Sequence, residues 1–315
     1  MILCSHYPIL QSGPSIVVDG RRRKEQFAFV WAQGAPAVAA LKVGRKALAR
    51  NYDDMTRALL SMAANLSDRP APDAVHDLRV AARRIQVTRR LTPRRVRSSQ
   101  DSKRLDLALR TVMKATSQLR DTDTLMDTLK SYTGSLPDGL LVNLGNQRSD
   151  IAVRARMAIV ALAEVPAPKL DASELRGKRL SKRLRKGFRR HSKKASFLLT
   201  RVLSDESKVV ELHSLRKEVK KVRYLSELAD KPPQRLSSLA KWQDSLGAIH
   251  DIDVAIAYLR GVGTDSGRAI LELQRDRHSK YMAFVRDFRT AQVQALREEG
   301  ALSLGALAPT DLSPA

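Results

Sequence analysis

The sequence predicts an all-α chain of two homologous four-helix halves in tandem, and three observations predict it. Apolar residues recur at helical spacing through most of the 315 residues. Alternating runs of Thr, Val, Ile and aromatics, the mark of strands, are nearly absent. Two pairs of segments repeat in the same order: Val75 to Leu91 with Leu212 to Leu228, and Leu119 to Leu129 with Ile249 to Leu259. Similar offsets in one order mean a duplicated unit.

Residues 1–36 read as a poorly ordered extension: a short apolar start, a Gly/Pro/Ser stretch, the run Arg21 to Lys24, then Phe27, Phe29, Val30 and Trp31. A secretory signal places its charges before its apolar stretch, which this segment does not do. The first helix runs from about Val38 to Leu66 and is closed by a turn at Asp68, Arg69 and Pro70. The second spans Asp73 to Leu91 and is stopped by Pro93. A third covers Asp101 to Ser117 and continues through a kink to Lys130, and the fourth runs from Asp138 to Glu164, before Pro166 and Pro168. The second copy follows: a very basic helix from Ala172 to Leu203, another from Val209 to Ala229, the break Pro232-Pro233, and helices over Gln234 to Val262 and Ser266 to Glu298. The halves are therefore 37–166 and 169–300, with a fraying tail over 301–315.

The net charge of +24 asks for a polyanionic partner, since so many like charges repel one another in a compact chain. Nucleic acid, polyphosphate and an anionic membrane surface satisfy that demand equally on charge alone. Aromatics at 4% disfavour the stacking platforms of single-strand binders. A single cysteine, Cys4, allows neither an internal disulfide nor a thiolate metal site and fits a cytoplasmic protein. No apolar run approaches the roughly 20 residues of a membrane span.

The chemistry lies on the repeated helices. Stepping about 100° per residue puts His76, Arg79, Arg83, Gln86 and Arg90 on one stripe, opposite Leu78, Ala82 and Ile85. The second copy repeats it with His213, Arg216, Lys220, Arg223 and Glu227, flanked by Lys217, Lys221 and Tyr224. Cations one turn apart, about 5.4 Å, suit a run of phosphates. A merely solvated face has no reason to keep its pattern in both copies. The histidines open their helices and are candidates for direct phosphate contact. Asp121 with Asp123, and Asp251 with Asp253, are too few carboxylates for a metal alone and are read as orienting the stripe cations. On the basic helix opening the second half, Arg183, Lys186 and Arg190 are the best additional anion contacts, so the groove is electrostatically lopsided. No phosphate loop, nucleophile elbow or zinc helix is present, which points to binding rather than catalysis and to no cofactor.

The motifs Val75-His-Asp-Leu-Arg-Val-x-x-Arg-Arg, Leu212-His-x-Leu-Arg-Lys-x-x-Lys-Lys-x-Arg-Tyr, Leu119-Arg-Asp-x-Asp and Leu246-Gly-x-Ile-His-Asp-x-Asp resemble those of the CHAD domain, the conserved histidine α-helical domain. The resemblance covers residues 37 to 300. It implies two four-helix bundles, a tandem repeat related by pseudo-twofold symmetry, around a basic central groove that binds inorganic polyphosphate and can bring such proteins to polyphosphate granules. It also implies basic contacts at His76, Arg79, Arg83, Arg84, His213, Arg216, Lys220, Lys221 and Arg223. Glu227, where the first copy has Arg90, departs from the pattern. Many relatives carry a preceding triphosphate-processing CYTH domain with a Glu-x-Glu-x-Lys signature. That signature is absent here, so a standalone binding module is expected, with general nucleic-acid binding as the alternative.

Overall fold

The computed structural model describes residues 41–66, 70–229, 236–263 and 266–298. The expected extension over 1–36, the tail over 301–315, the Pro232-Pro233 break and the helix start at Gln234 lie outside the described residues, whereas the first helix, expected from Val38, starts only at Arg45, with residues 41–44 non-helical and Gly44 at its N-cap. Within them the chain is all-α, with no strand. The long helices are α1 (Arg45–Ala64), α2 (Pro72–Leu91), α3 (Gln100–Lys130), α4 (Leu140–Ala163), α5 (Gly177–Val202), α6 (Val209–Glu227), α7 (Leu236–Val262) and α8 (Gly267–Glu298). A single helical turn, Arg94–Arg97, follows α2, and 3-10 turns sit at Thr133–Ser135 and Ala172–Glu174.

Local chemistry sets these ends. Pro72 occupies the first turn of α2, where a missing N–H costs nothing, and Pro93 ends it. Ser99 caps α3 by accepting from Ser102 N, and Gly139 supplies the left-handed residue (φ 72°) before α4. The expected kink near Ser117 is absent as a break, since α3 is one α-helix of 31 residues. Its buried Leu105, Leu109, Val112, Thr116 and Leu119 keep one face against the core throughout. The basic helix starts at Gly177, later than expected, because the chain at Ala172–Glu174 closes a 3-10 turn capped by Asp171.

In the first copy α1 packs on α2 and α4, α2 on α3, and α3 on α4; in the second α5 packs on α6, α6 on α7, and α7 on α8. Each set buries its own aliphatic core, with Leu59, Leu78, Ile85 and Leu105 in one and Leu215, Val222, Phe284 and Phe288 in the other. Burial of each such side chain contributes about 1.5–3 kcal/mol, so Leu78→Ala would cost on the order of 2–5 kcal/mol. The copies meet where α3 packs on α7: Leu125 and Leu129 share a core with Ala255 and Leu259, their equivalents in the repeat. α5 departs from a clean division. Leu180 and Leu184 join the first core while Ala195, Leu199 and Val202 join the second. Gly187 permits this crossing, since an added Cβ would lie 3.3 Å from the Leu225 side chain.

Candidate functional site

The position of each cation follows from how α2 and α6 bury their apolar sides. Leu78, Ala82 and Ile85 face the first core and Val75 a smaller apolar cluster with Leu119 and Ala155, which leaves His76, Arg83 and Arg84 on the accessible side. Leu212, Leu215, Val219 and Val222 do the same in α6 and leave His213, Arg216, Lys217 and Lys220 partly or fully accessible.

These two sides converge. The Lys220 ammonium is pushed down to about 7, first by burial and then by the fields of Arg216 on its own helix and Arg83 on α2. Burial also lowers Arg216; Asp251 opposes this, while Arg83 and Arg120 reinforce it. Burial lowers His76, with Arg120 next and Lys220 among the contributors. Burial raises the Asp251 carboxyl even though Arg216, Lys220 and Arg120 pull it down. Cations of both copies thus lie within one another's fields, an arrangement that is unfavourable until an anion enters.

The histidines sit differently. His76 is exposed. His213 is half-buried, with its Nδ1 3.0 Å from His250 Nδ1. One of these nitrogens must donate and the other accept, so both cannot carry a proton. Burial, followed by Arg216 and His213, pushes His250 down to about 3; burial, followed by Lys217 and Arg216, lowers His213.

Several expected contacts are spent elsewhere. Arg79 is buried, and its Nη1 donates to the Met113 carbonyl and to Thr116 Oγ1, both at 2.8 Å. Burial, then Arg83, lowers it to about 10. Its reading as an exposed stripe residue is therefore corrected: it lies next to Leu78, close enough to the buried side to be used as a brace onto α3. Its equivalent Arg216 lacks such bonds; its Nη2 lies 3.9 Å from Asp251, and its buried Nε has no partner among the described residues.

The carboxylate expectation also splits. Asp121 and Asp251 face the cations. Asp123 and Asp253 instead pair with Arg148 and Arg277. Arg148 also donates to the Pro70 carbonyl before α2, and Arg277 to the Glu206 carbonyl before α6. The second carboxylate of each pair thus anchors the loop that launches the basic helix and does not orient a stripe cation.

Among the remaining predicted positions, Arg183 donates to the Leu91 carbonyl at the end of α2. Lys221 is held by buried Glu218, which also receives His191 and Lys194 from α5. Burial opposes ionisation of Glu218, yet Lys221 and His191 hold its carboxyl below the usual range. Arg84 and Arg223 meet at Glu227, and Arg90, Lys186 and Arg190 are exposed. Sequence reasoning passed over Arg120 and His250 as site residues. Both occupy one position of the repeated motif, directly before Asp121 and Asp251, and that coincidence could have found them. Among the described residues no group of three or more His, Cys, Asp or Glu could hold a metal ion. No described helix is long and apolar enough to cross a membrane.

No curated protein matches the chain in sequence. A solved structure, that of the CHAD domain from the plant Ricinus communis, is 17% identical and covers 84% of this chain and 94% of that chain, with a TM-score of 0.43. The CHAD-domain family model matches residues 47–260. That match takes in both histidine-led helices and both Asp-x-Asp segments, and the chain belongs to the CHAD-domain family.

Proposed function

We propose that this chain is a binding module for inorganic polyphosphate, which it holds in a basic groove between two four-helix halves, 37–166 and 169–300. Members of the family are known to bind polyphosphate. The observation that carries the reading is that α2 packs against α6 and gathers Arg83 of one copy with Arg216 and Lys220 of the other, where burial first and then the fields of Arg216 and Arg83 push the Lys220 ammonium down to about 7. A polyanion relieves that repulsion directly. His76, Arg83, Arg120, His213, Arg216, Lys217 and Lys220 would contact it, while Arg84 and Arg223 meet at Glu227. Asp121 and Asp251 would limit how far the cations spread, and Lys186 and Arg190 would contribute at the periphery. Arginines grip two phosphate oxygens each, while Lys220 acts as a point charge that gains its proton as the anion arrives. Association with polyphosphate granules is the cellular counterpart.

Binding to long-chain polyphosphate and to duplex DNA, measured across a salt series, tests this. Preference for polyphosphate at every salt concentration is expected; comparable affinity for both throughout would contradict it and favour a general nucleic-acid binder.

A further inference from the structure

Resting on the polyphosphate reading, a finer feature concerns where the anion path ends. Glu227 closes the α6 stripe at the position where α2 carries Arg90. Its carboxylate accepts from Arg223 Nε at 3.0 Å, one turn back on the same helix, and lies 3.4 Å from Arg84 Nε on α2. One guanidinium comes from each copy. The three side chains are 24–44% exposed, so a solute can reach them, yet they are sheltered enough for the contacts to persist.

A carboxylate between two guanidinium groups presents the same chemistry as a phosphate: delocalised negative charge and oxygens that accept from planar N–H donors. Such a group in the protein occupies the subsite that a ligand phosphate would otherwise fill, and its charge repels the next phosphate along. No other stripe cation is held this closely by a carboxylate of its own stripe: Arg216 has only the 3.9 Å contact with Asp251 of α7. Arg83, Lys217 and Lys220 form no ion pair or hydrogen bond among the described residues. The two stripes are therefore open through Arg83, Arg216 and Lys220 and stoppered at Arg84 and Arg223.

We infer that Glu227 is a built-in competitor anion: it occupies the Arg84–Arg223 subsite, ends the polyphosphate path there, and lowers affinity for chains long enough to reach it. The substitution that reports this is Glu227→Gln, which keeps the shape and removes the charge. Affinity for long-chain polyphosphate should rise on the order of fivefold, and the salt dependence should steepen by about one to two units of log K against log salt as the two arginines engage phosphate. In an Arg84→Ala/Arg223→Ala background the same substitution should give no gain. Glu211→Gln, which removes an equal charge from the opposite end of α6, should leave affinity within about twofold.

Unchanged or weaker binding by Glu227→Gln, with wild-type binding intact, overturns the inference alone. So does an equal gain from Glu211→Gln, which would assign the effect to net charge. A gain that persists without Arg84 and Arg223 would overturn it as well. Failure of the unsubstituted chain to bind polyphosphate removes the underlying reading and this inference with it. Circular dichroism and thermal melting of each variant confirm that the fold is retained.

Discussion

The two copies use one motif to different ends. Arg79 and Arg216 hold the same place after their histidines, but Arg79 is buried and pinned to α3, whereas Arg216 has an Nε with no partner among the described residues and an Nη2 3.9 Å from Asp251. The first copy spends its arginine on the fold, and the second leaves its guanidinium without such bonds, where the proposed function puts a phosphate. The fourth-helix braces are kept in both: Arg148 and Arg277 each pair with the second aspartate and hold the loop before the basic helix. The brace is used identically in both copies, whereas within the recurring cationic stripes the arginine after the histidine is used differently.

The largest expected effect sharpens that distinction. Arg148→Ala and Arg277→Ala each break a largely buried ion pair and leave an aspartate uncompensated, fully buried at Asp123 and mostly buried at Asp253, so both should lose about 3–5 kcal/mol of stability by urea unfolding. Equal losses in the two copies fit a shared brace. A negligible loss in either would break the comparison.

Next comes the divergent pair. Arg79→Ala should cost about 2–3 kcal/mol of stability through its lost bonds to Met113 and Thr116, with little change in affinity per folded molecule. Arg216→Ala should do the reverse, leaving stability near wild type and weakening polyphosphate binding about tenfold. Matching effects from the two substitutions would erase the asymmetry.

A smaller effect is set by pH. Folding lowers Lys220 from its ordinary value to about 7, so the unfolded chain holds the extra proton between pH 7 and 10.5. The stability of the free protein should therefore rise with pH across that range, the penalty being fully present below pH 7. Bound polyanion draws the pKa back up, so binding takes up protons and affinity should fall about three- to tenfold from pH 7 to 9. Proton uptake shows as buffer-dependent heat in calorimetry, and Lys220→Met should flatten the profile. The lowered His76 and His213 act in the same direction on acidification. Smallest of all, Arg190→Ala at the exposed periphery should change affinity by about twofold or less; a larger loss would move the site toward α5.

Periodicity and punctuation were enough to read the helices. α2, α3, α6, α7 and α8 begin and end within a few residues of where Pro93, the Asp-led starts and the apolar spacing put them. The cationic stripes were legible because they recur. Arg79 was misplaced because a helical wheel sorts residues by polarity, and an arginine that finds a carbonyl and a hydroxyl across the helix interface can be buried on the border of the apolar side. Arg148 and Arg277 carry no local signal, since their partners lie 25 and 24 residues away and only packing brings them together. The division of α5 between two cores was equally hidden, as its apolar spacing does not reveal that Leu184 and Leu199 belong to different cores.

The central claim is that cations of both copies form one site, and a calorimetric titration with defined short-chain polyphosphate tests it most directly, on wild type, Arg83→Ala, Lys220→Ala and the double variant. A single transition is predicted, weakened as a whole by either substitution and by less than the sum of the two in the double variant. A two-phase titration in which Arg83→Ala removes one phase and Lys220→Ala the other would contradict it.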